Sequence, residues 1–259
     1  MEQLSQEQID RFINDGFIKI EDAFPTEVAD TCREILWKVT GCDPNDPKTW
    51  TKPVIRIGEL EDEAFKTSIN TPVLKTAFDQ LVGKDNWLSK TSVGSFPIRF
   101  PGNELATDTG WHIDASFPGE DPTDYLKWRI NVQSKGRALL MLFLYSDITE
   151  KDAPTIIKVG SHLYVTKILE PEGEKGLSFP ELAERLESLP ELEHTLATGK
   201  AGTVYLCHPF LVHAAQQHHG TNPKFMAQPA LLSKNGFNIS NEEIPHCPIE
   251  AAIIKGLKS

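Results

Sequence analysis

The chain has no run or stripe of basic residues. Its 259 residues hold 26 Lys and Arg against 37 Asp and Glu, a formal net charge of −11. Binding to nucleic acid or to an anionic membrane through a broad basic face is therefore not expected. Cysteine is sparse: Cys32, Cys42, Cys207 and Cys247 are scattered, with no C-x-x-C pair. That argues against a zinc knuckle or a thioredoxin-like site and fits reduced thiols in a cytosolic protein. Long apolar runs are missing too; the longest, 138–145, is far too short to span a bilayer as a helix. The first residues show no basic stretch followed by an apolar one, so no signal peptide is expected. There is no internal repeat and no low-complexity segment. These readings predict a soluble cytoplasmic protein without nucleic-acid or membrane partners, and they are silent on oligomeric state.

What is present has two textures. Ser5-Gln6-Glu7-Gln8 is a capping-box pattern, followed by Ile9, Phe12 and Ile13 at helical spacing and closed by Gly16. A short strand at 17–20 follows, then a helix from Pro25 with Val28, Cys32, Ile35, Leu36 and Val39 on one side, stopped by Gly41. The segment 43–51 reads as a loop, with Trp37 and Trp50 as core or loop anchors. A strand at 54–57 and a helix from Thr71-Pro72 to Gly83 complete the first third. From Trp87 onward short strand-like runs alternate with turns, at about 87–99, 110–117, 129–133, 138–145, 155–159, 203–206, 211–215 and 226–232. One helical insertion falls at 180–189, and a short helix at 248–257 ends the chain. Many short strands with interleaved turns predict a sandwich, barrel or jelly roll. The helices then cover one face of a sheet within a single domain, 1–259: a helix-rich part of about 1–85, a β core of about 86–235 and a short C-terminal helix.

The chemistry concentrates in Gly110-Trp111-His112-Ile113-Asp114-Ala115-Ser116-Phe117. On a strand, alternate side chains share a face, so His112 and Asp114 point the same way. A histidine and a carboxylate converging on one point make two thirds of the two-histidine, one-carboxylate triad that binds Fe(II) and leaves positions open. A second histidine must come from elsewhere. His194 lies in a charged stretch, His246 beside a proline, and His162 at a strand end where a turn role is the default. The pattern alone weighs His213, which ends the apolar run Phe210-Leu211-Val212, evenly against His208, His218 and His219 taken together.

The chain resembles the phytanoyl-CoA dioxygenase family of Fe(II)/2-oxoglutarate oxygenases over most of its length. The opening Leu4-Ser5-x-Glu7-Gln8-x-x-x-Phe12-x-x-x-Gly16-Phe17 is similar to that family's first helix and strand, and Trp111-His112-Ile113-Asp114 to its metal-binding strand. Leu142-x-x-Tyr145-Ser146-Asp147-Ile148-Thr149, Ala153-Pro154-Thr155 and Gly160-Ser161-His162 resemble its central strand, turn and corner, and Gly202-Thr203-Val204 through His208-Pro209 to His213 its closing segment. The resemblance implies a double-stranded β-helix (a jelly roll, cupin-like) with flanking helices. It implies metal ligands His112, Asp114 and His213, with Fe(II) and 2-oxoglutarate as cofactor and cosubstrate. The implied reaction hydroxylates or otherwise oxidises a small organic substrate with dioxygen, releasing succinate and CO2. A non-redox jelly-roll metalloprotein and a non-catalytic binding module are the alternatives.

One position departs from the family pattern. Such enzymes place an Arg about eleven residues beyond the distal histidine, against the far carboxylate of 2-oxoglutarate; here Lys224 stands there. Arg offers a planar fork that matches a carboxylate, and Lys only a point charge, so Arg99 and Arg137 are candidate substitutes. Thr155 is a further candidate cosubstrate contact. Trp111, Ser116, Phe117 and Gln228 are candidate pocket residues, and Asp147 is read as the cap of the turn before Thr149. Loops 103–109, 117–128 and 234–245 are expected to form the rim. The substrate itself is not legible.

Overall fold

A computed structural model of the chain describes residues 3–102, 104–240 and 245–259. Residue 103 and residues 241–244, parts of two expected rim loops, lie outside the described residues. Helix α1 (Gln6–Asp15) opens with the expected capping box, Ser5 and Gln8 bonding reciprocally, and ends at Gly16, whose φ of 88° is the left-handed conformation open to glycine. Strand β1 (Phe17–Ile20) and helix α2 (Thr26–Thr40) follow, then β2 (Val54–Ile57), α3 (Glu63–Ile69), α4 (Pro72–Val82) and β3 (Phe96–Arg99). The β body continues with β4 (Arg129–Ile130), β5 (Leu139–Leu144), β6 (Ile156–Lys158), α5 (Ser161–Leu169), β7 (Leu177–Ser178), α6 (Phe179–Leu186) and β8 (His194–Leu196). It closes with β9 (Val204–Cys207), β10 (His213–Ala214), β11 (Met226–Ala227), β12 (Ala230–Leu231) and α7 (Pro248–Lys258).

The strands form antiparallel sheets. The larger has the order β1-β9-β5-β11, with β12 also pairing with β5; the smaller has the order β10-β6-β8. A β2–β3 pair adjoins the larger one, because Arg99 bridges Lys224 just before β11. Strand β5 shows how the layers are held. All six of its residues are buried. Leu140, Leu142 and Leu144 pack with Ile157, Tyr205 and Leu211 between the sheets, while Leu139, Met141 and Phe143 join the core formed with the N-terminal helices. A strand covered on both faces reads as a continuous apolar run instead of an alternation, which is why 138–145 is the longest one in the sequence. This is a mainly β fold with flanking helices, the jelly roll that the strand pattern allows and the family resemblance implies.

Several elements differ from expectation for local reasons. The segment 110–117 forms no ladder; it touches neighbours only at the bridges His112↔His213 and Phe117↔Arg129. Side chains satisfy its backbone instead: Ala115 N–H donates to Tyr125 Oη at 3.1 Å, and the Ala115 carbonyl accepts from Arg137 at 3.0 Å. The run 226–232 splits into two short strands at Gln228-Pro229, where Gln228 N–H crosses to Ser95 O at 2.8 Å. His162 belongs to α5 and not to a turn at a strand end, and α3 also stands where no helix was expected. The turn at Thr149 is capped by Asp152, which accepts from Thr149 N–H at 2.9 Å, while Asp147 is held by Lys200 and by Ala201 N–H. No helix among the described residues is long and apolar enough to cross a membrane.

Candidate metal centre

The His112↔His213 bridge brings together two residues about a hundred positions apart. Each donates its backbone N–H to the other's carbonyl at 3.0 Å. Directly opposed residues of an antiparallel pair share a face, so the imidazoles meet, with ring centroids 4.4 Å apart. Asp114 joins them from the same segment. One ligand atom from each of His112, Asp114 and His213 lies within 4.8 Å of the others.

Each of the three side chains has one end occupied and one end free. His112 Nδ1 donates to the Gly110 carbonyl at 2.8 Å, and His213 Nδ1 to the Leu211 carbonyl at 3.0 Å. Both rings are thereby set in the tautomer whose Nε2 carries a lone pair. His213 Nε2 is buried and has no hydrogen-bond partner among the described residues. Asp114 gives Oδ2 to Arg137 Nη1 at 3.1 Å, and its Oδ1 faces His112 Nε2 at 3.9 Å. Burial opposes ionisation of Asp114, but Arg137, helped by the two histidines, holds its carboxyl below the ordinary range. Burial, with His112 next to it, lowers His213 to about 4, so that ring is neutral at pH 7. Two imidazoles and one carboxylate, each oriented from behind, are the donor set of a transition-metal site. These residues fit a divalent ion, and no other cluster of this kind occurs among the described residues.

The centre opens into a cavity of about 710 Å³ lined by Arg56, Ser95, Pro97, Arg99, Asp108 and Gly110, by Trp111, His112, Asp114, Tyr125 and Arg137, and by Phe179, Ala183, Ala215 and Gln228. A larger groove of about 980 Å³, between the start of α2 and the start of α4, holds no such cluster. Of the candidate pocket residues, Trp111 and Gln228 line the 710 Å³ cavity, and Ser116 and Phe117 do not. Phe117 packs under Lys135, whose Nζ lies 5.5 Å from the ring centre.

The candidate cations separate in the same way. Arg99 lines the cavity; one terminal nitrogen donates to Asp108 at 2.8 Å, and its Nε has no partner among the described residues. Lys224 is fully buried beside it and donates from Nζ to the Ala153 carbonyl at 2.6 Å. Burial, and then the charge of Arg99, pushes Lys224 well below the usual lysine range. Thr155 is buried, with Oγ1 3.8 Å from Met226 Sδ, away from the cavity lining.

Sequence reasoning reached Asp108 and Tyr125 only as parts of two expected rim loops, and missed Arg56 and Phe179 as cavity residues. The four come from β2, a loop, the short 3-10 turn Tyr125–Lys127 and the start of α6, and no local spacing connects them. The one available signal was at Phe179, which follows the capping-box serine Ser178 and so sits at a defined helix start.

No protein-family model matches the chain, and no curated protein sequence does. Solved structures do match it in fold. HygX from Streptomyces hygroscopicus with iron bound is 15% identical, covers 92% of this chain and 90% of its own, and superposes with a TM-score of 0.58. The same protein is also known with nickel and 2-oxoglutarate. The epimerase SnoN in complex with Fe3+, alpha ketoglutarate and nogalamycin RO is 14% identical, with 88% and 82% coverage and a TM-score of 0.59. EctD from S. alaskensis with 2-oxoglutarate and 5-hydroxyectoine is 19% identical, with 92% and 77% coverage and a TM-score of 0.55. The chain therefore shares its fold with proteins solved with iron and with 2-oxoglutarate.

Proposed function

We propose that the chain, acting as one catalytic unit, is an Fe(II)- and 2-oxoglutarate-dependent dioxygenase of the phytanoyl-CoA dioxygenase kind that its motifs resemble. The observation that carries this reading is the convergence of His112, Asp114 and His213, each anchored on its far side, beside a cavity that His112 and Asp114 line. When bound, Fe(II) and 2-oxoglutarate supply the oxidising chemistry: the 2-oxo acid and dioxygen yield succinate and CO2 while a C–H bond of a small organic substrate is oxidised.

The protein's own residues hold and shape that chemistry. Gly110 O and Leu211 O fix the two imidazoles, and Arg137 keeps Asp114 ionised and aimed. Arg99 is the better-placed seat for the far carboxylate of the cosubstrate, because its fork lines the cavity while Lys224 lies behind the wall. Lys224, directly opposed to Arg99 across a bridge and pushed well below the usual lysine range by burial, backs this wall through its hydrogen bond to the Ala153 carbonyl. Tyr125, pushed up to about 12 by burial and by Asp114, stays a neutral hydrogen-bonding group at the cavity wall.

The test is metal content followed by turnover. Protein reconstituted with Fe(II) under air should form succinate from 2-oxoglutarate and consume oxygen. A protein that retains Zn(II) or Ni(II), and forms no succinate with Fe(II), would establish the non-redox alternative, since imidazole and carboxylate suit those metals as well.

A further inference from the structure

The cavity wall holds more positive charge than the metal centre uses. Three guanidinium groups, Arg56, Arg99 and Arg137, line it against two carboxylates, Asp108 and Asp114. Arg137 answers Asp114. Asp108 alone then serves two arginines, Arg99 through Oδ1 and Arg56 through Oδ2. A divalent ion and a doubly ionised 2-oxo acid cancel, so loading the site leaves one positive charge over. This surplus lies inside a protein of net charge −11, and so it does not follow from a generally basic surface.

The surplus has a location. On β3, Ser95 precedes Pro97 and Arg99 in alternation, and Arg56 on β2 stands directly opposite Pro97. All four therefore face the cavity from one side of the ladder, as its lining shows. Arg99 is only 3% exposed, whereas the Arg56 side chain is 59% exposed. Arg99 is thus the floor and Arg56 the rim, the two guanidinium groups sharing the Asp108 carboxylate between them. The opposite wall is aromatic. The Phe179 ring lies 5.9 Å from the His112 ring and 6.3 Å from that of Tyr125.

We propose that the substrate is an organic anion with an apolar or aromatic body. Its carboxylate or phosphate pairs with Arg56 at the rim, and its body packs against Tyr125 and Phe179 beside the metal centre. Ser95 and Gln228 are the neutral polar groups within the same wall. The proposal rests on the oxygenase reading for the part that the buried Arg99 plays. The selection of an anion at Arg56 stands on the charge and exposure of the wall itself.

The experiment uses wild-type protein held anaerobic with Fe(II) and 2-oxoglutarate. It is titrated with 3-phenylpropionate, phenyl phosphate and the neutral 3-phenylpropionamide, read by calorimetry and by perturbation of the visible iron–cosubstrate band. An acid should bind roughly tenfold more tightly than the amide, as a charge-assisted pair in a partly desolvated wall requires. Which acid binds better identifies the group as carboxylate or phosphate. Arg56→Gln should erase the preference, and Arg56→Lys should keep part of it. Acids that bind no more tightly than the amide, or a preference that survives in Arg56→Gln, would overturn the proposal. A missing band before any probe is added would instead count against the oxygenase reading, and the calorimetric preference would still be measurable.

Discussion

Two pairs of histidines face each other in this molecule, and only one of them belongs to a cluster that could hold a metal ion. The His112 and His213 rings are 4.4 Å apart, and the His162 and His208 rings 4.9 Å apart. Both pairs leave buried ring nitrogens without a hydrogen-bond partner among the described residues: Nε2 of His213, Nδ1 of His162 and Nε2 of His208. Burial depresses His213 and His162, each to about 4, and pushes His208 well below the usual histidine range. The difference lies in what surrounds them. The first pair has Asp114 and a cavity. The second is packed between α1, α5 and the end of β9, with Phe12 and Phe210 against His208. A side chain at Gly16 would come within 2.5 Å of His162 Nδ1. Buried imidazole with a spare nitrogen is therefore not enough for a metal site; the carboxylate and the open space decide.

That contrast can be broken most directly at the carboxylate. Asp114→Ala should abolish Fe(II) binding, measured by metal analysis after gel filtration, while His162→Gln should leave the metal content at the wild-type level. Equal metal loss in the two variants would erase the distinction between the pairs. Next in size, Arg99→Met should weaken 2-oxoglutarate binding about 10–100-fold, the cost of a lost hydrogen bond to a charged group, as measured by calorimetry. Lys224→Met should weaken it less, because the lysine is behind the wall. Arg137→Met removes the partner that holds Asp114 from behind and should lower metal affinity, again by about 10–100-fold, with the fold retained in circular dichroism.

The last effect belongs to the enclosed pair and concerns acid stability. His162 is lowered from 6.5 to about 4 in the folded chain, so below pH 6.5 the unfolded state takes up a proton that the folded state refuses. Stability is therefore complete above the unfolded value and falls as pH drops from 6.5 towards 4, by about 1.4 kcal/mol per pH unit for each such histidine. Denaturant titrations of His162→Gln across this range should show a slope shallower by about that amount. Parallel slopes would mean that His162 does not contribute.

How much of this was legible in the sequence can be judged residue by residue. The N-terminal helix was legible because Ser5, Gln8 and Gly16 act locally, through a cap and a left-handed turn. Asp114 and His112 were found together because they are two residues apart, although the strand assumed for them is only a pair of bridges. His213 was not separable by pattern from His208, which also follows an apolar strand. The resemblance put His213 forward, and the structure shows why pattern could not: His208 differs only in what folds over it. Helix α5 was missed because its N-cap is Gly160, at a φ of 73° and without a side-chain cap, so no start signal precedes it. The cation wall was invisible for a different reason. Arg56 and Arg99 become neighbours only through the β2–β3 register, and register is a long-range property.

The central claim is that His112, Asp114 and His213 would hold an iron ion to which 2-oxoglutarate binds. The most direct measurement is the visible spectrum of the anaerobic protein with Fe(II) and 2-oxoglutarate, taken on wild type, Asp114→Ala and His162→Gln. A metal-to-ligand charge-transfer band should form in wild type and in His162→Gln and be absent in Asp114→Ala. No band in the wild-type protein at saturating iron and cosubstrate, or a band that persists in Asp114→Ala, would contradict the account.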